Sequence, residues 1–104
     1  TVTAKFHWTA ASGSGSVVWG LSGRAYADNN ALDQATGTAQ TVTDTLLTAA
    51  YEHITSATAA MTLAGSPAAG QMVIFQLYRD ATNGSDTLAV DAQFLGVEIS
   101  YTSA

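Results

Sequence analysis

Apolar and polar residues alternate one by one at both ends of the chain, the period at which a strand sends successive side chains to opposite faces. At the start, Val2, Ala4, Phe6 and Trp8 alternate with Thr1, Thr3, Lys5 and His7. At the end, Leu95, Val97, Ile99 and Tyr101 alternate with Gly96, Glu98, Ser100 and Thr102. Both stretches predict half-buried antiparallel strands. Val17 to Ala27 predicts another, with Val17, Trp19, Leu21 and Ala25 on one face and Ser22, Arg24 and Tyr26 on the other. Gly20 and Gly23 within it mark points of bulging or close backbone approach.

Thr38 to Thr48 is rich in β-branched residues that suit a pleated surface, and it reads as a strand. Ile54 to Ala64 places Ala57, Ala59, Met61 and Leu63 on alternate positions and predicts a further one. Met72 to Arg79 is apolar on both faces, which predicts a central strand buried between two layers and the core of the domain. Between these lie Ala11 to Ser16, a flexible small-residue connection; Asp28, Asn29 and Asn30, an Asx turn; and Gly65 to Gly70, the clearest turn of all. Ala31 to Ala39 and Ala49 to Ala60 are helix formers by propensity, with room for a short helix near Asp44 to Tyr51. The interspersed threonines argue against a long one.

Seven or eight short strands joined by Gly, Asn and Ser turns predict an all-β fold, an antiparallel β-sandwich of jelly-roll-like type, with residues 1–104 forming one domain. Because the chain opens on Thr1 and enters a strand pattern at once, it is expected to be a piece excised from a longer protein. No apolar run approaches the roughly 20 residues of a membrane-spanning helix, so membrane insertion is not expected.

Composition sharpens this picture. Eight acids against three basic residues leave a net charge of -5, which repels phosphate backbones and anionic headgroups; nucleic acid is not an expected partner. The absence of cysteine excludes disulfides and thiolate metal sites. Only 11% of residues are charged while 47% are hydrophobic, a poor ratio for keeping a lone domain's surface wet. Part of the exterior is expected to be covered by another subunit.

Candidate chemistry is sparse. His7 and His53 lack any zinc spacing and read as two solvent-facing histidines, and no serine sits in a nucleophile elbow, so neither a catalytic group, a cofactor nor a metal is expected. Asp80, Asn83, Asp86 and Asp91 cluster around one loop, and Asp28, Asn30 and Asp33 around another. Solvated turn residues are preferred over calcium ligands for both. Asn83-Gly84-Ser85 matches a glycosylation acceptor, a short and common pattern. Arg79 closes the most apolar strand and Asp91 lies between Val90 and Ala92, so a structural ion pair between Arg79 and Asp91 is expected. Trp8, Trp19, Tyr26 and Tyr51 are candidates for stacking on sugar rings, with the core as their alternative place.

The stretch Gly65 to Tyr101, with Q-M-V-I-F-Q-L-Y-R-D followed by S-D-T-L-A-V-D-A-Q-F-L-G-V-E-I-S-Y, resembles the closing segment of bacteriophage virion structural proteins. The likeness touches V-V-W-G and T-V-T-D-T upstream. The resemblance implies a β-sandwich module on a virion, in a tail fibre, spike or capsid decoration, with a surface for assembly or host attachment. It implies copies of itself as partners, as a homotrimer, together with other virion proteins and a host-surface glycan. In that pattern Arg79, Asp86 and Asp91 are scaffold residues. The rival reading is a carbohydrate-binding module.

Overall fold

Two antiparallel sheets of three strands each face one another in a computed structural model that describes residues 2–102. The strands are β1 (Val2–Thr9), β2 (Ser16–Tyr26), β3 (Gln40–Thr45), β4 (His53–Ile54), β5 (Met72–Arg79) and β6 (Gln93–Tyr101). Sheet A has the order β4-β1-β6 and sheet B the order β3-β2-β5. The all-β, sandwich-like class follows directly, and the described residues hold no helix. The described residues form six strands where seven or eight were expected.

The alternation at the chain's start translates into the core. Ala4, Phe6, Trp8 and Ala10 point inward from sheet A and meet Val17, Trp19 and Leu21 from sheet B, with Leu46, Met61 and Leu88 closing the ends. Phe6 stacks on Trp19 at 6.2 Å, and Trp8 meets the same ring edge-on. These aromatic contacts add to a core already dominated by buried area.

The central strand of sheet B is β2, not Met72 to Arg79 as expected. Val18, Ser22 and Tyr26, on the outer face of β2, are buried as well as its inner residues. The β2–β3 connection supplies the Leu32 carbonyl to the Tyr26 hydroxyl, the Ala35 carbonyl to Arg24 and the Thr36 hydroxyl to Ser22. Tyr78 lies directly opposite Gly20 with its ring where a Cβ would stand, 2.3 Å from the phenol carbon, so any side chain at this position would have to displace the ring. Gly23 is likewise crowded by Leu63 and Phe75. β5 itself is an edge strand whose outer residues Met72 and Ile74 are bare.

Ile54 to Ala64 departs from its expected alternation. Thr55, Thr58 and Met61, three residues apart, donate their N–H groups to the carbonyls of Phe6, Ala4 and Val2, which are two apart. The hydroxyls of Thr55 and Thr58 complete the match by accepting from the N–H groups of Phe6 (3.0 Å) and Ala4 (3.1 Å). Side chains thus replace the strand's own backbone along this edge. Only His53 and Ile54 form regular strand, and the buried set is Thr55, Thr58 and Met61 rather than the alternate alanines.

β6 pairs with β1 over its whole length, with a register shift between His7 and Trp8 that leaves Leu95 unpaired and exposed. That bulge puts Phe94 rather than Leu95 on the inner face, 5.9 Å from Trp19.

Candidate functional site

Two places concentrate structure that the fold alone does not demand. One is the β3–β4 loop, residues 46–52, which runs on the side of the sandwich closed by β3 and β4. Its backbone is held from several directions. Leu46 donates to the Gly15 carbonyl (2.9 Å), Ala50 to the Ala10 carbonyl (2.7 Å), and the Tyr51 carbonyl accepts from the Thr9 hydroxyl (2.7 Å). His53 sits beneath, buried against Trp8 at 5.1 Å. Its Nε2 accepts from the Leu47 N–H and its Nδ1 faces the Tyr51 carbonyl, both at 2.8 Å. An N–H on one side and a carbonyl on the other call for the neutral, Nδ1-protonated ring.

This bracing fixes an outward display. Leu47 is 84% exposed and Tyr51 67%, with Ile54 bare beside them on β4. Ala50 holds a left-handed backbone with φ of 68°, a conformation that costs a non-glycine residue on the order of 1 kcal/mol. At the foot of the loop the Glu52 carboxylate meets Nδ1 of His7 at 2.6 Å. Of the two histidines expected to face solvent, His53 is therefore a buried brace, and His7 is half-buried and paired.

The second place is the end of β5. Arg79 donates from Nε and Nη2 to the two carboxylate oxygens of Asp86 (3.0 and 2.7 Å), and from Nη1 and Nη2 to the carbonyls of Val90 and Leu88 (2.8 and 2.6 Å). The Asp86 carboxylate also accepts from the Val18 N–H at 3.0 Å, and its side chain is 1% exposed. The expected partner, Asp91, is corrected to Asp86. Successive turns carry the chain from Asp80 through Asn83 to Asp86 and bring that carboxylate back against β2. Asp91 stays exposed and acts on Arg79 only through its charge.

The Arg79 guanidinium holds the Asp86 carboxyl below the ordinary carboxylate range; burial opposes this, and the Val18 N–H adds to it. Arg79 is pushed upward by the same hydrogen bond. Asp80 accepts from Thr82 and Asn83, and Asn83 accepts from the Ser85 N–H. Among the described residues no three His, Asp or Glu side chains converge as metal ligands.

Of the four aromatics that were candidates for stacking on sugars, with the core as their alternative place, three are buried in the core. Trp8 is fully buried with its indole N–H on Asp44 (2.8 Å), Trp19 is 3% exposed, and Tyr26 lies under the β2–β3 connection. The Trp19 Nε1 is buried with no acceptor. Tyr51 alone of the four is at the surface. Sequence reasoning missed the loop that carries it, since Leu47 fell within the strand expected over Thr38 to Thr48 and Ile54 within the next; the strained Ala50 has no signal in the sequence.

At the opposite side, β5 and β6 flank an apolar groove of about 760 Å³ lined by Val73, Phe75, Ile99 and Tyr101 together with Leu63 and the 67–71 turn. Compared with known proteins, the chain matches no family model, no curated protein and no solved structure.

Proposed function

We propose that this domain is a display module that acts by presenting the braced β3–β4 loop to a partner, within a virion structural assembly of the kind its C-terminal segment resembles. The observation that carries the reading is the contrast within the loop: side chains bare, backbone anchored at Leu46, Leu47, Ala50 and Tyr51. A loop whose backbone is already ordered pays less entropy on docking, which is how a small surface gains affinity. The nested pairing of the first strand with the last and of β2 with β5 supports a jelly-roll-like winding. The carbohydrate-binding alternative keeps one supporting observation, the exposed Tyr51 beside the Glu52 carboxylate and His7.

Sedimentation of the purified chain with bacterial cells and with isolated lipopolysaccharide and peptidoglycan tests the reading. The parent chain is expected in the pellet, and a Leu47→Ser, Tyr51→Ser double variant in the supernatant with an unchanged melting temperature. Equal sedimentation of the two would remove the loop from the function. A glycan array separates the alternatives: selective binding abolished by Tyr51→Ser supports the carbohydrate reading over a protein partner.

A further inference from the structure

We infer that the β5/β6 side joins two copies of this chain, with β6 pairing antiparallel to β6 of the second copy so that sheet A grows from three strands to six. The main chain gives the first reason. β6 is hydrogen-bonded to β1 along one edge and β5 to β2 along one edge, and neither borrows a partner for its other edge among the described residues. Free edges of this length are ordinarily blunted with lysine, proline, inward charge or a bulge. β5 and β6 contain no lysine or proline, their charges are Glu98 and an Arg79 already engaged by Asp86, and the one bulge, at Leu95, leaves β6 regular from Gly96 to Tyr101.

Side chains give the second reason. Phe94, Leu95 and Tyr101, three of the large apolar residues exposed among the described residues, all lie on β6. Between β5 and β6 the core itself is open: Phe75, Leu77, Val97 and Ile99 are half-buried, whereas their counterparts on β1 and β2 are closed off.

Charge then selects the occupant. With a net charge of -5, a copy could approach only where acids are scarce, and of the eight acids Glu98 alone lies on β5 or β6. A two-fold axis through Val97 sets Glu98 opposite Gly96 of the second copy, Ile99 opposite Leu95 and Tyr101 opposite Gln93, so no like charges meet. One strand pairing with itself in antiparallel sense requires a two-fold axis, which favours two copies over the three that the phage resemblance implies.

Area agrees. The chain exposes 6136 Å², against about 5500 Å² for a monomer of its mass, and its radius of gyration of 15.0 Å exceeds the roughly 13 Å of a domain this long. Because β4 and β6 lie on opposite edges of β1, this pairing leaves the β3–β4 loop of each copy free.

Light scattering coupled to size exclusion, across a concentration series of the chain, is expected to return twice the 10.7 kDa chain mass. The chain has no cysteine, so Val97→Cys carries a single thiol placed at the proposed axis. Directly opposed antiparallel residues stand about 4.5 to 5.5 Å apart at Cα, within disulfide reach. On oxidation this variant is expected to run as a covalent pair, while Thr43→Cys on β3 is not. Leu95→Lys, at an exposed position that leaves folding untouched, is expected to weaken the pair at least tenfold. A monomer at every concentration, a three-copy mass, or cross-linking from Thr43 as efficient as from Val97 would each overturn the proposal.

Discussion

Arg79 and Asp86 show how much one buried carboxylate can organise. The pair ties the end of β5 to β2 through Val18 and holds the β5–β6 connection through Leu88 and Val90. Arg79→Ala is expected to cost about 3 to 5 kcal/mol, because it strands a carboxylate already out of water. Asp86→Ala should match it in urea denaturation, the double variant should be scarcely worse than either, and Asp91→Ala should be near neutral. The pH dependence has a definite sign. The folded state holds Asp86 ionised below its ordinary range, so its contribution is complete above the unfolded value near 3.9 and is lost as pH falls below about 4. The stability gap between the parent and Asp86→Asn should be flat from pH 7 to pH 5 and close below pH 4. That Arg79 needs a carboxylate was legible in the sequence. Which one was not, because Asp91 has apolar neighbours and Asp86 sits in what reads as a solvated turn; Val90 proves to be exposed, and the turn folds inward.

Among the elements, β1, β2 and the stretch of β6 from Val97 onward follow from alternation alone, while the bulge at Leu95 breaks the pattern before it, and the two glycines of β2 stand where close approach was expected. Gly20→Ala should destabilise by about 1 to 3 kcal/mol through overlap with the Tyr78 ring. Most of that loss should vanish in a Tyr78→Ala background, where thermal melts can be compared. The segment after β4 was misread for a physical reason: a threonine hydroxyl that stands in for a backbone acceptor frees the chain from the two-residue period on which strand reading depends. Thr55→Val and Thr58→Val, alike in shape, each leave a buried N–H of Phe6 or Ala4 unsatisfied and should cost about 1 to 3 kcal/mol. Serine at either position should recover most of the loss. β5 was misplaced because residues apolar on both faces look the same whether a second layer covers them or nothing does.

On the scale of the whole molecule, the first strand is completed by the last, with Val2 opposite Tyr101 and Thr9 opposite Gln93. Sheet A therefore cannot form until nearly the entire chain is present and its ends have met. Refolding from urea should fall in the millisecond to second range typical of β folds dominated by distant pairings, and a chain cut before Gln93 should remain unfolded by circular dichroism. The three-residue rhythm of Thr55, Thr58 and Met61 against β1 has a further effect, on growth. Main-chain groups that recur every third residue offer no matching row to an incoming strand, which needs them every second. In the language of polymer chemistry, sheet A has one reactive end and one capped end. A sheet of that kind terminates as a pair, whereas a sheet reactive at both ends runs on into a fibre.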